Sequence, residues 1–240
     1  MKKLFSIVLI LALSLGASFA SFAAEGAAPQ MNVTEAVSEN VVKEVNMPAI
    51  ILRANGDVEF DEAWALPFEY IPAAIGMADQ FIPAIKRDTL ELDFGKALDI
   101  VQADSTLGLI GTLNQTINQK SADVQVMSSK LVSLFSQVLS VSLTSDQIAS
   151  YEEIMKQTFM NLSESNTNYY IWKSSSASNV TYQYNLFFAV EKAKNLLMAM
   201  PVGMTVSANT SKKEFLGITT SSKHNYSVQV KAIRVIKLVQ

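Results

Sequence analysis

Three stretches near the C-terminus decide the fold: TYQYNLFFAVE (181–191), LLMAMPVGMTVSA (196–208) and YSVQVKAIRVIKLV (226–239). In the first, Tyr182, Tyr184, Leu186, Phe188 and Val190 share one side, and Thr181, Gln183, Asn185 and Glu191 share the other. In the second, Leu196, Met198, Met200, Val202, Met204 and Val206 alternate with Ala199, Gly203, Thr205 and Ser207. In the third, Tyr226, Val228, Val230 and Ala232 alternate with Ser227, Gln229 and Lys231. Ile233, Val235 and Val239 then occupy the parity that had been polar, which predicts a bulge near Ala232 and Ile233. Successive side chains of a strand point to opposite faces, so period-two alternation gives each strand an apolar and a polar side. A sheet with one strongly apolar face needs a cover. Phe187, Ala189, Leu197 and Ala199 dilute the polar side enough for a second cover to fit there.

The cover is expected from the middle of the chain. Residues 70–86 carry Ile75, Ala78, Phe81, Ile82 and Ile85 at helical spacing, with Pro83 as a break. Residues 90–94 read as extended and 95–103 as a helix. In 104–120, Leu107, Ile110, Leu113 and Ile117 fall on one side of a predicted helix. In 121–143, Val124, Met127, Leu131 and Leu134 make the next apolar stripe. Thr144 and Gln147 form a capping box for a helix to about Asn161. Helices and long strands in separate blocks indicate an α+β layered domain.

The N-terminus has another character. Lys2 and Lys3 precede an apolar run from Leu4 to Leu15 and then small residues, the layout of a secretory signal peptide over 1–23, cleaved after Ala23 or Ala20. The run is shorter than the ~20 residues a spanning helix needs. Residues 24–46 read as a flexible leader or pro-segment, and 47–240 as a single domain. Residues 49–53 read as a short strand ended by an Asn-Gly-Asp turn.

Composition excludes several functions. With no cysteine, neither a disulfide nor a lipoprotein anchor is available. A formal charge of −3, more negative still without Lys2 and Lys3, argues against a nucleic-acid partner. The acidic cluster Asp57, Glu59, Asp61, Glu62 and Glu69 matches no metal-loop spacing and reads as a solvated loop. The single histidine, His224, lacks the companions of a catalytic triad or a metal site. No cofactor is expected. Trp64, Tyr169, Tyr170 and Trp172 suit either a core or a membrane interface.

A family resemblance rests on LDFGKALDI (92–100) and GTLNQTI (111–117), then TFMNL (158–162), the run from Ile171 and Trp172 to YQYN (182–185), VQVKA (228–232) and LVQ (238–240). The first two resemble the helical core of the Cyt family of cytolytic delta-endotoxins. The similarity is colinear from about Pro48 to the C-terminus. It implies a three-layer α/β/α fold, with a central antiparallel sheet wrapped by helical hairpins. It also implies a toxin that binds membrane phospholipid, rearranges and forms a homo-oligomer that permeabilises membranes, with no enzymatic step. Two departures stand out. Members made as intracellular crystals lack a signal peptide, and trimming at both ends is expected here only in the leader.

The strand physics agrees. About 13 residues at ~3.3 Å rise exceed the 9–11 a tilted strand needs to cross a bilayer. Lipid admits strands only in closed barrels, so several chains must assemble. The stripe headed by Tyr182 and Met198 is then lipid-facing, and Thr181, Gln183, Thr205 and Ser207 meet water. The alternatives are a covered core that never inserts, as in a secreted binding or inhibitor module, and carpet-like disruption without a barrel.

Overall fold

Long strands form where the alternation places them: β5 (Val180–Ala193), β6 (Leu196–Ala208) and β7 (His224–Leu238) run antiparallel at the centre of one sheet. The computed structural model describes residues 11–12, 48–52, 66 and 68–239. Within these, β1 (Leu11–Ala12) pairs antiparallel with β2 (Pro48–Leu52), and β2 runs parallel to β5, the one parallel pairing of an otherwise antiparallel sheet. β3 (Leu107–Ala122) forms the opposite edge beside β7, and β4 (Tyr170–Ser175) lines the start of β5. Apart from Leu11 and Ala12, the spans read as signal peptide and leader lie outside the described residues, as do Trp64 and the acids from Asp57 to Glu62.

Two expectations fail here. Leu107, Ile110, Leu113 and Ile117 were expected to form part of a helical cover, but they lie on β3, so the GTLNQTI segment is strand and not helical core. Their three- and four-residue spacing imitates a helix. Gly108 and Gly111, each costing a helix about 1 kcal/mol, and the β-branched Thr112, Thr116 and Ile117 favour extended chain. As an edge strand β3 is mostly exposed, so its alternation was never strong. Leu113 and Ile117 rest against the core, Leu107 is buried on the other face, and Ile110 is 45% exposed.

The second failure is the bulge in β7. The β6/β7 register is unbroken from Ala208↔Tyr226 to Leu196↔Leu238. The irregularity sits one strand over, where Ile110 is the extra residue between Leu109↔Val235 and Gly111↔Arg234. Ile233 and Val235 are apolar because the second face of the sheet is also covered at that end, and both are fully buried.

Helices cover both faces, giving three layers. α1 (Ile71–Phe81), continued by a 3-10 turn (Ile82–Ala84) at Pro83, and α2 (Phe94–Ala103) pack on Phe187, Ala189, Leu197, Ala199, Ile233 and Val235. On the opposite face lie α3 (Val124–Leu139) and α4 (Ser145–Met160), with the short α5 (Lys212–Leu216) at one end. Local chemistry fixes the ends. Asp123 accepts from the Val126 N–H at 2.9 Å to start α3, and Thr144 with Gln147 forms the expected capping box of α4.

Candidate membrane-active surface

The apolar face of β5, β6 and β7 is continuous in three dimensions because the register lines up its rows. Tyr182 sits beside Val206 and Val228, Tyr184 beside Met204 and Val230, Leu186 beside Val202 and Ala232, and Val190 beside Met198 and Ile236. Phe188 pairs with Met200, while Tyr226 flanks Ala208 at the far end. All the stripe residues read from the sequence except Leu196 are buried in this one core; Leu196, at the start of β6, is half-buried and outside it. Val124, Met127, Leu131 and Leu134 of α3 meet that face, as do Phe159 and Tyr151 of α4. The rings of Phe135 and Phe188 lie 4.7 Å apart, and Phe159 meets Tyr226 edge-on at 5.7 Å. Most of the contact between hairpin and sheet is therefore non-directional apolar burial, which a hydrocarbon solvent replaces at little cost.

Three polar clasps supplement it, and the sequence reading missed two. Arg234 donates from Nη1 to the Val138 carbonyl at 2.7 Å, and Lys192 Nζ donates to the carbonyls of Leu139 and Ser140 at 3.1 and 3.0 Å. Both cations meet the last turn of α3, where carbonyls lack helical partners and the helix dipole is negative. Arg234 also lies over Gly111, where a Cβ would come within 3.1 Å of Nη2. The signal available in the sequence was a lone arginine at an apolar-parity position of a strand. At the other end, Tyr182 Oη donates to the Thr158 carbonyl of α4 at 2.9 Å. Gln125 of α3 also hydrogen-bonds Glu152 of α4, tying the hairpin to itself.

The reverse face is polar over one half. Thr181 and Ser207 share a hydroxyl contact of 2.9 Å, Thr205 donates to Gln183 at 2.6 Å, and Gln229 donates to Asn114 at 3.2 Å. These cross-strand pairs run across β5, β6, β7 and β3. Leu92 roofs part of this band close to Gly203, where an added Cβ would come within 3.3 Å of Leu92 and 3.0 Å of Gln183. Beneath it Asn185 is fully buried with neither side-chain atom paired within the protein. Beside this roof Glu91 forms an ion pair with Lys173, whose hydrogen bond holds the Glu91 carboxyl below its ordinary range.

An aromatic group closes one end of the apolar face. Trp172 lies 5.3 Å from Tyr182 and 6.3 Å from Phe215, with Lys212 Nζ 4.7 Å above its ring. Tyr169 and Tyr170 join through Tyr184. Elsewhere a cleft of about 500 Å³ between α3 and α4 is lined by Ser129, Ser133, Ser136 and Ser140 with apolar neighbours. No titratable side chain lines it to activate a hydroxyl, and Ser129 and Ser136 donate to helix carbonyls. Among the described residues no cluster of His, Cys, Asp or Glu is arranged for a metal, and no helix is long and apolar enough to cross a membrane.

A family model described as Bacillus thuringiensis toxin matches residues 36–240. The chain belongs to this family, the Cyt cytolytic delta-endotoxins. It is 28% identical over 184 residues to the Type-2Bb cytolytic delta-endotoxin of Bacillus thuringiensis subsp. jegathesan, covering 75% of this chain and 70% of that protein. With the Type-2Ba cytolytic delta-endotoxin of subsp. israelensis it shares 27% over 193 residues, 79% of this chain and 73% of that one. The crystal structure of the activated Cyt2Ba monomer from subsp. israelensis superposes with a TM-score of 0.66 at 26% identity, over 80% of this chain and 97% of that one. A second solved delta-endotoxin gives 0.69 at 24% identity over 92% of each chain, a likeness of fold. The three-layer α+β architecture is thus the Cyt fold. The family is one of non-enzymatic, pore-forming toxins, so this Cyt protein is a cytolytic toxin acting on membranes and not an enzyme.

Proposed function

We propose that this Cyt protein permeabilises membranes by exchanging one cover of its sheet for lipid. The α3–α4 hairpin leaves the apolar face of β5, β6 and β7, that face binds membrane phospholipid, and several chains close their strands into an oligomer. The observation that carries this reading is the contrast between the two sides of one sheet: a continuous apolar face under a hairpin held by three clasps, backed by a hydrogen-bonded polar band. Tyr182, Tyr184, Leu186, Phe188 and Val190 then face lipid, with Met198 to Val206 of β6 and Tyr226, Val228 and Val230 of β7. Gln183, Thr205 and Gln229 face water. β5, β6 and β7 are 14, 13 and 15 residues long, more than the 9–11 needed to cross. Trp172, with the Lys212 ammonium beside it, suits the headgroup level, where amphipathic rings and basic side chains anchor. Secretion through the signal at 1–23 and trimming within 24–46 belong to the same reading.

The test is dye release from protein-free phospholipid vesicles by leader-trimmed protein. Leakage with detergent-resistant oligomers is expected. A non-inserting binding or inhibitor module would leave the vesicles intact and the protein monomeric, and that outcome sinks the proposal.

A further inference from the structure

We propose that β3 is the seam at which two copies of this chain join, its outer edge pairing antiparallel with β3 of a second copy. The inference rests on the permeabilising function above and adds to it which edge assembles, and with what. β3 has 16 residues and hydrogen-bonds only β7, so among the described residues its other edge has no partner strand. Native proteins blunt exposed edges with charge, proline, bulges or brevity, because unpaired N–H and C=O groups are templates for another strand. From Leu107 to Gln119, β3 carries no proline and no charged residue, and its two irregularities, at Ile110 and past Gln119 beside Lys120, leave an even run from Gly111 to Gln119. Leu109 and Ile110 add apolar surface, 48% and 45% exposed.

The opposite side of the sheet is protected. β4 has six residues and is bulged at Lys173, and β2 has five. The described edge whose length matches β3 is therefore β3 itself in another copy. Self-pairing meets no like-charge repulsion, and the neutral Thr112, Asn114, Thr116 and Asn118 can pair across the seam as hydroxyls and amides do within this sheet. Antiparallel pairing about a twofold axis is also the commonest way two identical chains meet. An axis normal to the sheet keeps both apolar faces on the same side. Four long strands from each copy then give a joined sheet of about 8, the strand number of the smallest membrane barrels, and closing it would further require β2 and β4 to leave β5.

Because the chain has no cysteine, the seam can be mapped with single cysteines at 109–119 in the full chain, oxidised on phospholipid vesicles. The expected result is a covalent dimer at one position and its immediate neighbours, where the twofold axis crosses β3, fading on either side. The triple variant Thr112→Lys, Thr116→Lys, Asn118→Lys should lower dimer yield and leakage at least tenfold, with the thermal unfolding of the monomer unchanged. Intact leakage with no disulfide at any position would overturn the seam and leave the permeabilising function standing. Equal crosslinking at every position would mean parallel, in-register strands and would equally overturn it. An intramolecular bridge between Ser38→Cys and Thr116→Cys would place the chain's own leader on the edge instead. Leader-trimmed wild-type protein that leaves vesicles tight fails the underlying function, a different result from any of these.

Discussion

The two helical layers look alike in outline but rest on different surfaces. α3 and α4 cover a face that is apolar from Tyr182 to Val190 and charged only at the end where Lys192 and Arg234 sit, which is why the proposed exchange for lipid falls on that side. α1 and α2 cover a face that is apolar around Phe187, Ala199 and Ile233 and polar around Gln183, Thr205 and Gln229. No single solvent suits that second face once it is stripped, since lipid leaves Asn185 and Gln183 without water and water exposes Phe187. The difference teaches that cover alone does not make a helix layer removable. What matters is whether the surface beneath is uniform enough to be handed to another medium.

The comparison breaks most sharply under crosslinking. A short cleavable thiol linker between Ser140→Cys and Lys192→Cys, replacing the Lys192 clasp, should cut dye release by more than about 100-fold and restore it on cleavage, since the apolar face is worth ~25 cal/mol per Å² of buried surface. The corresponding linker between Tyr70→Cys and Asn195→Cys, where the Tyr70 hydroxyl meets the Asn195 N–H at 2.6 Å, should leave release within about threefold if the α1–α2 layer stays in place. Silencing by the second linker as well would mean that both layers leave.

Next in size is a charge on either side of β6. Val202→Lys, in the middle of β6, should lower leakage by roughly 30- to 1000-fold, the equivalent of 2–4 kcal/mol for a lysine facing mid-bilayer lipid. Thr205→Lys, three residues on and on the water-facing side, should keep leakage and shift the pore toward anions, read as a reversal potential in planar bilayers. Near-UV circular dichroism must first show both variants folded, since Val202 is fully buried. Equal loss in the two would contradict the assignment of faces.

A smaller effect is expected at the clasp. Arg234→Met removes a charged hydrogen bond worth about 1.5–3 kcal/mol at the end of α3. It should lower the thermal midpoint by several degrees and speed leakage several-fold, because the hairpin comes away more readily. A lower midpoint with slower leakage would show that Arg234 supports the inserted form instead.

The smallest effect belongs to the roof over the polar band. The Glu91 carboxyl is depressed by the Lys173 hydrogen bond, so its contribution is complete above the ordinary 4.5 and is lost as pH falls below that value through the depressed one. The pair is partly exposed, so Lys173→Ala should shift the midpoint by less than about 3 °C at pH 7, with the difference shrinking as pH falls below 4.5. A difference that grows on acidification would contradict the sign.

Much of this was readable in order along the chain. Strict alternation in 181–191 and 196–208 gave both strands and the face each residue takes, because a buried face tolerates no slip of register. The capping box at Thr144 and the break at Pro83 were equally local. Residues 107–122 were misread because an edge strand packs few side chains, so its pattern is sparse and helical spacing arises by chance. The apparent slip after Ala232 misled for the opposite reason: a strand covered on both faces loses its alternation without any bulge. Lys192 and Arg234 gave little warning, since their partners are backbone carbonyls some 50 and 96 residues away.

The sequence by itself determined the three long C-terminal strands, their apolar side, the family, and the absence of disulfides, because these depend on residue type and spacing alone. Only the tertiary structure decided that α1 and α2 close the apolar half of the second face, that β3 and not a helix extends the sheet, and that two cations hold the end of α3. Each of those depends on which segments become neighbours. That is set by the packing of both layers at once, to which no local spacing gives access.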